Sequence, residues 1–317
     1  MKKKIRETPL HSGILGAITG DAMGVPHEFT TPEQVKNRNL ENMTGYGTYH
    51  QPPGTWSDDT SMTLATMDSL TRGVNYEDVM NKFTDWITLA KYTPHGEVFD
   101  YGNTTYKALM RYPLYNPLEC GLSWVRDNGN GSLMRILPVS YYCYYKQLTT
   151  KEQIHLIDDF SSLTHAHPIS KASCNIYNFI IQEILHDKEE GKHSLSWLIE
   201  EGLQTSEDYY PVRKYPFFNH LYSELLSEDV CGGSKGYVLD SLETAIHTSY
   251  HTQTYEQSII ETISYGKDTD TNAMITGGIT GLYYGLEHIP SRWLNKLVKL
   301  EEISHLCDEY YKSLTTN

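Results

Sequence analysis

One stretch of the sequence, residues 12–28, reads SGILGAITGDAMGVPHE. Apolar side chains recur along it at spacings of three and four, which predicts a helix that ends before Pro26. Gly16, Gly20 and Gly24 are spaced by four residues and therefore share one helix face. A glycine inside a helix costs up to about 1 kcal/mol relative to alanine. We therefore expect another element to pack closely against this face.

The same helical period recurs along the chain, whereas strict alternation over five or more residues is nearly absent. The Val/Ile-rich runs that a parallel sheet needs are missing too. We therefore predict an all-α protein, with a single domain over residues 1–317. The predicted helices cover 12–24, 61–72, 76–90, 152–163, 171–186, 195–203, 237–250, 254–264 and 271–286, and the predicted loops 41–55, 112–132 and 204–236.

The composition narrows the class of protein. Among 317 residues, 40 Asp and Glu outnumber 26 Lys and Arg, and the net charge is −14. No stripe of basic residues is visible, so we expect no non-specific binding to nucleic acid. No apolar run suits a signal peptide or a membrane span, and the five cysteines show no C-x-x-C spacing. These features predict a cytoplasmic protein with no membrane association.

Two short acidic segments each precede a predicted helix: residues 57–60, Ser-Asp-Asp-Thr, and residues 268–271, Asp-Thr-Asp-Thr. One helix cap needs only one such side chain, and adjacent carboxylates repel unless a cation lies between them. Hard oxygen ligands suit Mg²⁺, Mn²⁺ or Ca²⁺. An EF-hand is excluded, because Ala273 and Ile279 stand where glycine and glutamate are required. The alternative is two unrelated acidic caps.

These segments belong to a series of six motifs whose order resembles the ADP-ribosylglycohydrolase family over about residues 10–290. The resemblance implies a compact orthogonal helical bundle around a dinuclear metal site. It also implies hydrolysis at the anomeric carbon of ADP-ribose attached to a protein or to a small molecule. The motifs occupy residues 16–28, 57–60, 100–105, 130–135, 164–168 and 266–271.

The resemblance also assigns roles to individual residues. It implies two Mg²⁺ ions, with Mn²⁺ possible, and Glu28 and Asp100 as candidates for the residue that moves the proton. Ser57 departs from the threonine that many relatives carry, but a serine hydroxyl can still ligate. The implied metal ligands are Ser57, Asp58, Asp59, Asp268, Asp270 and Thr271. The implied substrate contacts are Gly129, Asn130, Gly131, Ser132, His165 and Tyr237.

Two other functions stay open at this point. One is a degenerate relative that binds ADP-ribose without cleaving it, which a lost metal-site aspartate would mark. The other is a different metallohydrolase on the same fold. All four metal-site aspartates and Glu28 are present, which favours the enzyme. The acceptor that carries ADP-ribose is not specified by the motifs.

Overall fold

The computed structural model describes residues 5–227 and 235–316, and it contains fifteen α-helices and no β-strand in these ranges. Short 3₁₀ segments connect several of the helices. The helices are α1 (Pro9–Gly24), α2 (Pro32–Val35), α3 (Asp58–Leu70), α4 (Tyr76–Leu89), α5 (Asn103–Arg111), α6 (Leu137–Tyr145), α7 (Thr150–Ser162), α8 (Pro168–Glu190), α9 (Leu195–Tyr209), α10 (Asn219–Ser223), α11 (Val238–His251), α12 (Tyr255–Ser264), α13 (Thr269–Tyr284), α14 (Ser291–Leu294) and α15 (Leu300–Thr315).

All nine predicted helices are confirmed, with ends that differ by a few residues, and the all-α class is confirmed with them. Three longer helices were not predicted: α5, α6 and α15. In α6 the sequence LPVSYYCYY is apolar or aromatic nearly throughout, so it shows no helical period to read. The predicted loop over 204–236 is wrong in part, because α9 continues to Tyr209 and α10 lies within it.

Helices α1 and α13 form the centre of the molecule. Almost every residue of α1 is buried, so its sequence is apolar on all sides. A Cβ atom added to Gly16 would collide with the carbonyl oxygen of Gly277, and one on Gly20 with that of Ala273. The expected close packing against the glycine face is therefore confirmed. It places the first turn of α13 against the last turn of α1.

The cysteines and the length of the apolar helices bear on the environment of the chain. Cys120, Cys143, Cys174 and Cys307 are buried and form no disulfide, while Cys231 lies outside the described residues. Among the helices that the structure describes, none is both long and apolar enough to cross a bilayer.

Candidate active site

Asp21 joins α1 to the start of α3. Its carboxylate is fully buried and accepts from the N–H of Ser57 at 3.0 and 3.1 Å and from the N–H of Thr60 at 3.2 Å. The Thr60 hydroxyl donates to it at 2.5 Å. Ser57 is itself the N-cap of α3, and its Oγ accepts from the N–H of Asp59 at 3.3 Å. The N-terminus of α3 is thus held directly against α1.

The start of α13 meets the start of α3 at the same place. Asp268 occupies the N-cap position of α13, but it makes no side-chain capping bond. Its carboxylate instead accepts from Nδ2 of Asn130 at 2.8 Å. The Thr271 hydroxyl donates to Asp59 at 3.4 Å, and the Thr271 N–H donates to Asp270 at 2.9 Å. The two acidic segments are therefore one site, and the alternative of two unrelated caps is wrong.

The carboxylates form two groups that could each hold a metal ion. One oxygen from each of Asp21, Asp59 and Asp270 lies within 4.8 Å of the others, and the same holds for Glu28, Asp268 and Asp270. Asp270 belongs to both groups. One buried oxygen each of Glu28, Asp59 and Asp270 has no hydrogen-bond partner among the described residues. Unpaired carboxylate oxygens around a shared aspartate are a donor set that fits hard divalent cations.

The electrostatics of this region are dominated by uncompensated negative charge. Burial raises the pKa of every carboxyl group here: to about 6 for Asp21 and Asp100, to about 9 for Glu28, and well above the usual range for Asp58, Asp59 and Asp270. In the described ranges none of these groups forms an ion pair. We call the full set the acidic cluster: Asp21, Glu28, Asp58, Asp59, Asp100, Asp268 and Asp270.

Glu28 follows α1 on a loop, but it is only 5% exposed. The N–H of Phe29 donates to the Lys267 carbonyl at 2.6 Å, and the N–H of Lys267 donates to the Thr30 carbonyl at 2.7 Å. Phe29 and Lys267 both have left-handed φ values, 59° and 67°. The Thr48 hydroxyl donates to the Glu28 carbonyl at 2.6 Å. These bonds tie the Glu28 loop to the turn before α13 and direct the glutamate into the cluster.

Asp100 precedes α5, but the N-cap of that helix is Gly102, so Asp100 is not a cap. Asp100 is half-buried with a left-handed φ of 50°. Beside it lies Tyr49, a residue that the sequence did not single out. Burial and the charges of Asp100 and Glu28 raise the pKa of the Tyr49 phenol, and its ring packs 5.2 Å from that of Phe99. Nothing in the glycine-rich loop around Tyr49 distinguishes it in the sequence.

Residues 128–132 form a tight turn beside the cluster. The N–H of Asn130 donates to the Gly236 carbonyl at 3.0 Å, and Gly129 pairs with Tyr237. In the described part of the chain, the N–H groups of Gly131 and Ser132 donate to no hydrogen bond. Free amides in a glycine-containing turn can bind an anion.

The side chain of Ser132 points into the protein interior. Its hydroxyl is fully buried and accepts from the Ser161 hydroxyl at 3.0 Å. The ring of His165, which is 2% exposed, closes the turn from the other side. A Cβ atom on Gly131 would lie 2.8 Å from Cε1 of His165, and one on Gly129 would lie 3.4 Å from Nε2. Glycine at position 131 therefore permits the close approach of the ring.

The structure brings the predicted carboxylates and the turn together, and Asn130 joins them. It adds Asp21, which the sequence had placed only in a packing helix. The signal for Asp21 was present, because Asp21 is the one carboxylate of α1, a helix in which almost every residue is buried. A buried charge of this kind needs partners, and here they are the amides that begin α3.

Known proteins resemble the chain along its length. Residues 4–317 match the family described as ADP-ribosylglycohydrolase. The ADP-ribosylarginine hydrolase Tri1 of Serratia proteamaculans (strain 568) is 29% identical over 305 residues, covering 94% of this chain and 77% of that protein. The ADP-ribosyl-[dinitrogen reductase] glycohydrolase of Rhodospirillum rubrum is 28% identical over 287 residues, covering 89% of this chain and 88% of that protein.

A solved structure supports the fold. The structure titled "ADP-ribosylglycohydrolase-related protein complex" superimposes with a TM-score of 0.81 at 24% identity, and the match covers 97% of this chain and 98% of that one. At this identity the likeness shows the fold. The family match, by contrast, spans the acidic segments and the turn described above. The chain therefore belongs to the ADP-ribosylglycohydrolase family and is an ADP-ribosyl glycohydrolase.

Proposed function

We propose that this enzyme releases ADP-ribose from a modified protein by hydrolysing the bond at the anomeric carbon, with two Mg²⁺ ions bound in the acidic cluster. One observation supports this proposal above all: Asp270 belongs to both groups of buried carboxylates. In these groups, oxygens of Glu28, Asp59 and Asp270 have no hydrogen-bond partner among the described residues. Mn²⁺ would suit the same oxygen donors. The proposed ligands are Ser57, Asp58, Asp59, Asp268, Asp270 and Thr271, and the geometry supports adding Asp21 and Glu28 to the site.

The bound cations would supply Lewis acidity toward the ribose hydroxyls and the attacking water. The protein must then supply a group that takes the proton from that water. Glu28 and Asp100 are the two carboxylates of the cluster that lie on loops, and bound cations would favour their ionised forms, which can accept a proton. Either carboxylate would accept the proton at one of its oxygens. The Tyr49 phenol lies near both carboxylates, but its hydroxyl forms no hydrogen bond within the described residues.

The turn over residues 128–132 is proposed to hold the substrate. The free amides of Gly131 and Ser132 would donate to pyrophosphate oxygens, and His165 closes the turn from the opposite side. Asn130 is fixed by Asp268 and contributes the rigidity of the turn. Gly129 and Tyr237, paired through the backbone, complete the proposed contact surface. This arrangement allows a chain of charge −14 to bind an anion through neutral donors.

The names of the relatives support a protein as the acceptor. They specify ADP-ribosylarginine for the Serratia protein and dinitrogen reductase for the Rhodospirillum protein. A small-molecule conjugate is the second candidate, since both share the ADP-ribosyl group. The unpaired cysteines of the described ranges support a reducing compartment, for which we propose the cytoplasm.

The experiment is a panel of defined ADP-ribosyl linkages, which includes arginine, serine and O-acetyl conjugates. Each is incubated with the enzyme in EDTA, in Mg²⁺ and in Mn²⁺, and released ADP-ribose is measured. We expect one linkage class to be cleaved, with activity lost in EDTA and restored by Mg²⁺. Full activity in EDTA would show that hydrolysis does not require a metal ion. Failure to cleave any linkage in either metal would contradict the proposed reaction.

A further inference from the structure

A buried cation lies behind the turn over residues 128–132. Arg135 is 0% exposed, and its carbon Cζ lies 4.6 Å from the centre of the Phe83 ring. Its Nε donates to the Gly131 carbonyl at 3.1 Å, and its Nη2 donates to the Phe160 carbonyl at 3.3 Å. Within residues 5–227 and 235–316 it forms no ion pair with a carboxylate. Burying an unpaired charge costs free energy of folding, which suggests that Arg135 has a functional role.

Thr164 connects this cation to His165. Nη2 of Arg135 lies 2.7 Å from Thr164 Oγ1, and the same oxygen lies 2.8 Å from Nδ1 of His165. A guanidinium has no acceptor, so the threonine oxygen must accept from the arginine. The hydroxyl then has one hydrogen to give, and Nδ1 is the acceptor beside it. If Nδ1 carried a hydrogen instead, the hydroxyl hydrogen of Thr164 would have no acceptor, because neither Arg135 nor His165 would offer it a lone pair.

The other ring nitrogen of His165 faces the proposed substrate site. Nε2 forms no hydrogen bond within the described residues, although the residue is 2% exposed. It lies 3.4 Å from the place where a Cβ would project from either Gly129 or Gly131. Burial and the charge of Arg135 lower the pKa of His165 to about 3, so the ring is neutral at physiological pH. A neutral ring donates from only one nitrogen.

We propose that Arg135 and Thr164 are positioning residues, which hold His165 in the tautomer with hydrogen on Nε2 so that it donates to an oxygen of bound ADP-ribose. Phosphate and ribosyl oxygens that approach the turn need donors, and a lone pair on Nε2 would repel an anion. The chain of three side chains therefore supplies a donor of fixed direction without adding charge to the site. The identity of the ligand rests on the proposed function, whereas the tautomer does not.

The first test measures the tautomer in the full chain. Protein labelled with ¹⁵N-histidine is examined at pH 7.5 by long-range ¹H–¹⁵N correlation, and the His165 signals are assigned with the variant His165→Gln. We expect the chemical shifts of a neutral ring with hydrogen on Nε2. In Arg135→Met the threonine is free to accept from Nδ1, so we expect a mixture of tautomers, and Arg135→Lys should restore the single form. A wild-type ring with hydrogen on Nδ1 would overturn the proposal.

The second test uses a matched pair at Thr164 and reads ADP-ribose affinity by calorimetry. Thr164→Val removes the hydroxyl at nearly constant volume, and loss of an oriented hydrogen bond should weaken binding about tenfold. Thr164→Ser retains the hydroxyl and should bind within about threefold of the wild type. Equal affinity in both variants, with unchanged melting temperatures, would overturn the positioning role. The expected tautomer in a protein that cleaves no ADP-ribosyl linkage would support this assignment and contradict the proposed function instead.

Discussion

The two halves of the site bury charge of opposite sign, and in the part of the chain that the structure describes neither charge is compensated by an ion pair. On one side, the acidic cluster holds seven carboxylates whose pKa values are all raised by burial. On the other side, Arg135 lies behind the turn without a carboxylate partner. The turn and the acidic cluster are joined by the hydrogen bond that Asn130 donates to Asp268. Within the described residues, no ion pair joins Arg135 to a carboxylate of the cluster.

The difference in charge indicates which kind of ligand each half suits. Buried charges without partners are unfavourable, so a ligand of the opposite sign would stabilise each half. The acidic cluster suits divalent cations, whereas the turn with its free amides suits an anion. Keeping the halves separate means that a cation and an anionic ADP-ribose can be bound side by side. Substitutions in one half at a time test whether the two halves act separately.

The largest effect is expected for Asp270→Asn, because this residue belongs to both groups of carboxylates. We expect the rate of hydrolysis to fall by several orders of magnitude, because the substitution removes a charged ligand from both proposed cation sites. The turn is unchanged, so ADP-ribose should still bind. Single-turnover hydrolysis and calorimetry measure the two quantities.

The matched control is Asp78→Asn, which removes an acid from the first turn of α4, outside the cluster. It should retain activity within about threefold. Wild-type turnover in Asp270→Asn would show that the shared aspartate has no role in the reaction.

How much of this site the sequence could predict depends on whether the residues carry a local pattern. Asp58, Asp59, Asp268 and Asp270 stand in two acidic runs at predicted helix starts. These runs indicated a cation site without excluding two unrelated caps, and the family resemblance assigned all four residues to one site. Their convergence depends on the packing of α1 against α13, which the glycine spacing indicated without naming the partner helix.

Residues that act through distant contacts could not be predicted in this way. Tyr49 approaches Glu28 and Asp100 only after the loops fold, and one tyrosine among 25 carries no signal. Arg135 ends the motif over residues 130–135, but its lack of a carboxylate partner among the described residues is a property of the three-dimensional environment. The all-α class, by contrast, follows from short-range periodicity and was confirmed throughout the described ranges.

The second prediction separates the two candidate proton carriers within the acidic half. If Glu28 is the base, Glu28→Gln should lower the rate about 10³-fold, while Asp100→Asn should lower it by less than about tenfold. If Asp100 is the base, the order reverses. Both variants should retain affinity for ADP-ribose. Single-turnover rates decide between them, and near-wild-type rates in both would leave the mechanism without a proton carrier.

The third prediction concerns the link between the halves. Nδ2 of Asn130 donates to Asp268 at 2.8 Å and to the Ser241 hydroxyl at 2.9 Å. Asn130→Asp replaces this donor by a carboxylate and extends the negative charge into the turn. Loss of a partner of this kind typically costs 10–100-fold in metal affinity or activity, and we expect about 30-fold. Ser241→Ala keeps the bond to Asp268 and should stay within about threefold; an equal loss in both variants would contradict the link.

The smallest effect is a change in melting temperature, and it tests the acidic half without any substrate. Carboxyl groups whose pKa is raised by folding bind protons more tightly in the folded state than in the unfolded state, where the pKa is about 4. Their contribution to stability is therefore fully present below about pH 4 and is lost as the pH rises through the folded values. Those values are about 6 for Asp21 and Asp100 and about 9 for Glu28.

In EDTA, the melting temperature should consequently fall from pH 5 to pH 8, by at least about 5 °C for a chain of this size. Bound Mg²⁺ replaces protons as the counter-charge, so the same scan in millimolar Mg²⁺ should be nearly flat. Asp59→Asn removes one of the repelling charges and should reduce the slope in EDTA, whereas Asp78→Asn should leave it unchanged. Differential scanning calorimetry gives all four curves. A wild-type curve with the same slope in EDTA and in Mg²⁺ would mean that the cluster carries its own compensation, and the contrast between the two halves of the site would fail.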